Sequence, residues 1–222
     1  MVMMFTFAIY TRNLLIKQHK TTIKLKKYKD DLERRGKKLQ ISNDILSKEI
    51  LDRKKIQKEL EILATTDPLT KLYNRRKFNE VLSYEVTKCK RYPTDLSIIF
   101  CDLDKFKDIN DTYGHDIGDE VLISFASILK SSLRKSDIVA RWGGEEFVIL
   151  LTNETPQSTI NTIEKVREEI KSYKFEKVDK LTASFGISYL KENDLENDLL
   201  KRADRALYKA KENGRDCTVV IT

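Results

Sequence analysis

Two places in this 222-residue chain set acidic side chains where they could act on a charged ligand. In the first, the apolar run Leu96-Ser97-Ile98-Ile99-Phe100-Cys101 leads straight into Asp102-Leu103-Asp104. Residues i and i+2 of a strand share a face, so both carboxylates can point into one mouth. Acids at a strand end are costly unless a cation compensates them. Oxygen donors of this kind suit Mg²⁺, which takes a couple of carboxylates together with phosphate oxygens and water. In the second place, Arg141-Trp142-Gly143-Gly144-Glu145-Glu146-Phe147 stands between Asp137-Ile138-Val139-Ala140 and Val148-Ile149-Leu150-Leu151. Apolar runs on both sides of Gly-Gly predict a β-hairpin. Glycine serves where a turn needs positive φ or where another molecule touches the backbone. A turn bare of side chains beside adjacent acids suits a phosphate-bearing ligand with its metal ions. An ordinary surface hairpin carrying two solvated glutamates is the plain alternative.

Other chemistries are excluded by the residues present. An EF-hand starting at Asp102 would have Lys107 where glycine is needed and Tyr113 where a bidentate glutamate is needed. There is no P-loop and no dinucleotide-binding fingerprint. Cys89, Cys101 and Cys217 are scattered and odd in number, which argues against a disulfide framework or a zinc site. His115 has no second histidine near it, and a polar or packing role suits it better than metal ligation.

The elements that must position these acids follow from periodicity and breakers. Residues 75–91 read as an amphipathic helix with Phe78, Val81, Leu82, Val86 and Cys89 inward, broken by Pro93. Residues 119–133 form a helix with Val121, Leu122, Phe125, Ile128, Leu129 and Leu133 on its core face. A helix across 157–173 follows the hairpin, then an alternating strand over 181–189. A last helix over 195–213 is stopped by Asn213-Gly214, and a short edge strand covers Thr218-Val219-Val220-Ile221. Thr65-Thr66-Asp67-Pro68 separates this domain from what precedes it; Asp67 is placed to cap a new helix with Pro68 in its first turn. Strands joined by hairpins and by helices indicate an α+β sheet with helices packed on it.

Ahead of the domain, residues 20–64 read as one long polar helix. Leu25, Leu32, Leu39 and Leu46 recur every seven residues, one seam of a coiled coil, while the companion seam (Tyr28, Arg35, Ser42, Glu49) is poor. The phase then slips to Ile56, Leu60 and Leu63. A parallel dimerising helix and a solvated single helix are the two readings. Residues 1–19 hold the apolar stretch 2–10 and Leu14-Leu15-Ile16, followed by a run of lysines suited to a cytoplasmic flank. That is too short to span a bilayer alone, which takes about 20 apolar residues. The tail of a transmembrane helix, an interfacial anchor and a sticky helix end compete; a membrane-proximal segment with contact through residues 1–16 is the expectation, and a cleaved signal peptide is disfavoured.

The ordered motifs resemble a known family. Asp102-x-Asp104-x-Phe106-Lys107-x-x-Asn110-Asp111-x-x-Gly114-His115-x-x-Gly118-Asp119, followed by Arg141-x-Gly143-Gly144-Glu145-Glu146-Phe147, is similar to the GGDEF family of diguanylate cyclases. Asp67-Pro68-Leu69-Thr70-x-Leu72-x-Asn74-Arg75-Arg76 matches that family's opening, and Ala203-Asp204-x-Ala206-Leu207-Tyr208-x-Ala210-Lys211-x-x-Gly214-Arg215 its close. The resemblance implies a palm or ferredoxin-like domain over 65–222 with a central, mostly antiparallel sheet and surrounding helices. It also implies the condensation of two GTP into cyclic di-GMP with loss of two pyrophosphates, each half-site of a homodimer holding one GTP. By the resemblance, Asp102 and Glu145 hold Mg²⁺ by side chain and Leu103 by its carbonyl, with two metal ions per site and Mn²⁺ as an alternative. Glu145 and Glu146 are the catalytic acids, Glu145 taking the proton of the attacking hydroxyl. Asn110 and Asp119 meet the guanine edge, His115 lies near base or ribose, and Lys107, Lys211 and Arg215 meet the triphosphate. Gly143 and Gly144 let phosphate approach. The third hairpin position is Glu145 where the family has Asp or Glu, and Asp216-Cys217 replaces the usual Asn-containing end.

Arg134-x-x-Asp137 matches the family's product-binding inhibitory motif, with Lys165 or Arg167 of the next helix as its undecided helper. The whole implies a cytoplasmic catalytic domain at the inner face of the cell membrane, with 20–64 as its signalling coiled coil. The rival is an inactive domain that senses GTP or cyclic di-GMP. A palm-type nucleotidyl transferase acting on nucleic acid is a further rival; the charge distribution argues against it, and no nucleic acid is expected as a partner. The net +7 divides into +8 over residues 1–64, with 16 Lys and Arg against 8 Asp and Glu, and −1 over the remainder, with 26 against 27.

Overall fold

The central strands are buried on both faces, and that decides where everything else goes. The computed structural model describes residues 2–92 and 94–222, without the side chains of Val2, Met4 and Ala8. Among the described residues six strands order as β1-β3-β4-β2-β5-β6: β1 (Tyr73–Asn74), β2 (Leu96–Leu103), β3 (Ile138–Gly143), β4 (Glu146–Thr152), β5 (Ala183–Tyr189) and β6 (Thr218–Ile221). The inner pairings β3–β4, β4–β2 and β2–β5 are antiparallel, and the edge strands β1 and β6 pair in parallel. The expected α+β sheet, mostly antiparallel at its centre, is therefore the observed one.

Alternation assigns the two faces. Ile99, Cys101 and Leu103 of β2, with Phe147, Ile149 and Leu151 of β4, point to one side. There they meet Val121, Leu122, Phe125 and Leu129 of helix α4 (His115–Ser132) and Ile163, Val166 and Ile170 of α5 (Pro156–Ser172). Ile98 and Phe100, with Val148 and Leu150, point to the other side. They meet Phe78, Leu82 and Val86 of α2 (Arg75–Arg91) and Leu199, Ala203 and Leu207 of α6 (Glu196–Glu212). The small residues of α6 let its backbone lie directly on β5 at Gly186.

Three local expectations change. A short helix α3 (Phe106–Tyr113) fills the stretch between β2 and α4; it begins after Lys105, whose φ is 56°. Asp67 caps no helix. Its carboxylate receives the amide and hydroxyl of Thr70, both at 2.8 Å, and closes a turn that ends on left-handed Lys71. The helix-capping side chain is Asn74, which accepts from the amide of Lys77 at the start of α2. Pro93, expected to end α2, lies outside the described residues.

Ahead of the domain, α1 (Val2–Thr65) is one unbroken helix that runs through Gly36 and takes in the apolar start as well. Its surface carries i,i+4 ion pairs such as Asp31–Arg35 and Glu49–Arg53, and Leu25, Leu32, Leu39 and Leu46 are all exposed. A long N-terminal helix that resembles a coiled-coil strand thus precedes the domain. Among the described residues no helix is long and apolar enough to cross a membrane.

Candidate active site

The hairpin joining β3 and β4 brings its acids onto the end of β2. Asp102 pairs directly with Glu146 across the two strands, and Glu145 occupies the turn beside them. Like charges placed opposite one another on a sheet repel. Asp102 is only 6% exposed, and among the described residues its one ion-pair partner is Lys211 of α6, whose Nζ lies 2.8 Å from Oδ2. Burial, aided by repulsion from Glu145 and Glu146, outweighs that ammonium and pushes the Asp102 carboxyl up to about 6. A strand end that sets three acids against one lysine favours an added cation.

The donor set fits a hard divalent ion. The oxygens of Asp102 and Glu145 are of the type Mg²⁺ prefers, and Leu103, the next residue after Asp102, ends the same strand. Among the described residues no cluster of three or more His, Cys, Asp or Glu has ligating geometry, so the remaining positions would fall to phosphate oxygens and water, as is usual for Mg²⁺.

Asp104 does not join this cluster. Its carboxylate turns back into the domain, accepting from Thr182 Oγ1 (2.7 Å), Ser184 Oγ (2.6 Å) and the amide of Asp216 (3.0 Å). The shared face expected for Asp102 and Asp104 fails because β2 ends at Leu103, so strand alternation no longer governs Asp104.

The turn also shifts by one residue. Gly143 still pairs with Glu146, and the two central residues are Gly144 and Glu145. Gly144 alone takes positive φ, 56°. A Cβ added at Gly143 or Gly144 would have nothing within 4 Å. Gly143 is therefore not required by any neighbour in the fold, and the space beside it is open. Arg141 braces the turn: its Nε donates to Gly144 O at 2.9 Å while Nη1 lies 3.2 Å from Asp67 Oδ1. Trp142 is packed edge-on against Phe78 and Phe100, with the Arg75 guanidinium 4.2 Å above its ring. Neither brace was read from the sequence. Asp67 and Arg141 lie 74 residues apart, and only their membership of the opening and hairpin motifs hinted at a role.

On the other side of β2, α3 and α4 bring the guanine candidates together. Asn110 leans on Gly118, where an added Cβ would stand 1.9 Å from Asn110 Oδ1, and Asp119 is the next residue on α4. Asp119, His115 and Lys107 are exposed, with His115 opening α4 after Gly114. Arg215 lines a groove at the strand end with Lys105, Asp104 and Thr182.

Arg134 and Asp137 sit apart from the acids, in the loop between α4 and β3. The Arg134 amide donates to Asp137 Oδ2 (2.9 Å), and its guanidinium lies 2.8 Å from the buried carboxylate of Glu154. Lys165 lines the same hollow with Arg134, Asp137 and Thr162. Arg167 is turned away to Asp216. Of the two helpers considered, Lys165 shares the hollow.

Comparison with known proteins gives the family. The family model "Diguanylate cyclase, GGDEF domain" matches residues 64–217. Diguanylate cyclase DgcM of Escherichia coli is 38% identical over 168 residues, which are 76% of this chain and 41% of that protein. The chain thus spans about two fifths of the length of that curated relative. The coiled coil and GGDEF domain of DgcB from Caulobacter crescentus, solved in complex with c-di-GMP, aligns with a TM-score of 0.78 at 28% identity, covering 82% of this chain and 99% of that one. The active GGEEF domain of a diguanylate cyclase from Vibrio cholerae aligns with a TM-score of 0.64 at 36% identity, over 67% and 97%. Since the match takes in both acid-bearing motifs and runs from the last turn of α1 to the residue before β6, the chain belongs to the GGDEF family of diguanylate cyclase domains.

Proposed function

We propose that this protein condenses two GTP molecules into cyclic di-GMP, using the acids gathered at the end of β2. The observation that carries the reading is the trio Asp102, Glu145 and Glu146 beside a turn whose glycines leave open space. Asp102, Glu145 and the Leu103 carbonyl would hold Mg²⁺, or Mn²⁺, two ions to a site. A bound divalent ion would neutralise phosphate charge and lower the pKa of the attacking hydroxyl. Asn110 and Asp119 orient the guanine, with His115 beside the base or ribose, and Lys107, Lys211 and Arg215 restrain the triphosphate. Glu145 takes the proton from a 3′-hydroxyl, whose oxygen then bonds the α-phosphorus of the facing GTP as pyrophosphate leaves; a second, identical transfer closes the ring. Glu146, paired with Asp102, supports the acids. Because each domain holds one GTP, two copies must meet. We assign that pairing to residues 20–64 as a signalling coiled coil, with 65–222 as catalytic domain and 1–19 as a membrane-proximal segment at the inner face of the cell membrane.

Gly143→Ala tests the open turn. No neighbour meets the new methyl, so the melting temperature should stay within about 2 °C of the parent. Approach of phosphate to the backbone is blocked, and cyclisation should fall by roughly tenfold or more. Full activity in this variant would remove the turn from the reading.

Asp102 also predicts a pH signature. Its folded-state value of about 6 lies above the ordinary 3.8, so the folded chain binds this proton more tightly than the unfolded chain. The contribution is fully present below pH 4 and is lost as pH rises through 6. Without divalent metal, Asp102→Asn should match the parent near pH 4 and exceed it in stability at pH 7.5 by on the order of 2 kcal/mol. Added Mg²⁺ should narrow the gap by stabilising the parent alone. Denaturant titrations at the two pH values check this.

Product inhibition is proposed at Arg134 and Asp137, with Lys165 as the third contact. Arg134→Ala should raise the cyclic di-GMP concentration needed for half inhibition at least about tenfold, the loss of one bidentate arginine contact. Initial rates measured against added product decide it, and an unchanged inhibition curve would refute the assignment.

A further inference from the structure

The loop Gly214-Arg215-Asp216 has three successive residues with positive φ: 104°, 68° and 45°. Only the first is glycine. A left-handed L-residue costs about 1–2 kcal/mol and persists where its surroundings over-determine it. Here the surroundings act on Asp216. Its amide donates to Asp104 Oδ2 (3.0 Å), and its carbonyl accepts from Arg167 Nη1 (3.1 Å). One carboxylate oxygen takes Arg167 Nη1 at 2.6 Å and the other takes Lys171 Nζ at 2.8 Å. Every polar atom of this residue is thus engaged, by α5 on one side and by the end of β2 on the other. The holders are themselves fixed. Arg167 also binds Glu164 (3.0 Å) and Glu168 (2.7 Å), while Asp104 is pinned by Thr182 and Ser184. Burial works against charge on Asp216, yet the bonds from Lys171 and Arg167 hold its carboxyl below the usual range.

Arg215 precedes this anchor. Its amide reaches Ala210 O at 3.1 Å, and it lines the groove beside Asp104 and Lys105. We propose that Asp216 is a positioning residue for the substrate's phosphates: clamped between α5 and Asp104, it keeps Arg215 in the left-handed conformation that sets its guanidinium at the polyphosphate. The inference rests on Arg215 contacting phosphate, as proposed above. It gives α5 a second task besides presenting Lys165, since Arg167 and Lys171 bind the loop from the same helix.

The test uses the full chain with Mg²⁺, reading steady-state kinetics with GTP and equilibrium binding of 3′-deoxyguanosine triphosphate, which lacks the attacking hydroxyl. Asp216→Ala should raise both KM and the Kd of the analogue about tenfold, the loss of one oriented arginine–phosphate contact, with kcat within threefold. Asp216→Asn keeps an oxygen for Arg167 and tolerates positive φ, so it should stay within about threefold of the parent. Arg215→Ala should weaken binding to the same degree, and the double variant should be no worse than Arg215→Ala alone. Additive losses in the double variant, or an unchanged KM in Asp216→Ala, would overturn the proposal. If Asp216→Ala does not fold, Arg167→Met with Lys171→Met replaces it, with the same rise expected and the same null result overturning it. A parent that binds the analogue but makes no cyclic dinucleotide, with the tenfold loss still seen in Asp216→Ala, keeps the clamp and removes the cyclase reading. A parent that binds no guanosine triphosphate removes both.

Discussion

Glu145→Gln should lower the turnover of GTP by at least about a thousandfold, since one change removes both the proposed general base and a proposed metal ligand. Glutamine is nearly isosteric, and Glu145 stands at the second central position of the turn, where Gly144 carries the positive φ. The hairpin should therefore survive. Its removal also relieves repulsion on Asp102, so the variant should melt no lower than the parent at neutral pH without metal. Glu146→Gln keeps Glu145 and should lose far less, because Glu146 faces Asp102 from the strand rather than from the turn. Turnover measured at saturating GTP, with melting curves for each variant, separates chemistry from folding. A Glu145→Gln chain that cyclises within tenfold of the parent would mean that this carboxylate does not take the proton.

The second large effect concerns stability. Gly186 lies in β5 under α6, and a Cβ there would come within 2.0 Å of Leu207 N, 2.5 Å of Ala203 O and 2.7 Å of the Ala206 carbonyl carbon. All three are backbone atoms of one helix, so no side chain can rotate to make room. The helix has to lift from the sheet, loosening its contacts through Ala203, Ala206, Leu207 and Ala210, each 2% exposed or less. Overpacking ordinarily costs about 1–3 kcal/mol, and a rigid backbone obstacle belongs at or above the upper end. Gly186→Ala should therefore destabilise the domain by about 3 kcal/mol or more and lower its melting temperature by roughly 10 °C. Activity should fall as well, since α6 carries Lys211 to Asp102. Chemical unfolding of the two proteins reads this directly. A loss below about 1 kcal/mol would show that α6 can slide at little cost.

What could be read from the residues divides along physical lines. Strong periodicity located helices α2, α4, α5 and α6 to within a few residues, and β2, β4 and β5 as closely, because burial on both faces of the central strands leaves an uninterrupted apolar pattern; α1 begins 18 residues before the expected start at residue 20. The acids of the hairpin were visible because motif and spacing are local. What escaped depends on partners far along the chain. Asp104 looked like a companion of Asp102, but its three donors come from residues 78 to 112 positions later. Asp67-Pro68-Leu69-Thr70 supports a helix cap or a turn equally well on local grounds; Arg141 helps select the turn. Helix α3 is eight residues long, starts on a left-handed lysine and has no side-chain cap, so no start signal announces it. The turn was placed one residue early because Gly143 and Gly144 look alike in sequence, and only the pairing of Gly143 with Glu146 distinguishes them. Asp216 stood out merely as a departure from the family's ending; its engagement with Arg167, Lys171 and Asp104 is a property of the fold.

The central claim is that acids from two neighbouring strands and an open glycine turn make this chain a cyclase. Purified full-length protein incubated with GTP and Mg²⁺, its products identified by mass and by pyrophosphate release, tests that claim most directly. The expected result is cyclic di-GMP with two pyrophosphates released per molecule formed, at a specific rate that rises with protein concentration as copies pair. Folded protein that binds GTP and returns it unchanged at every concentration would contradict it.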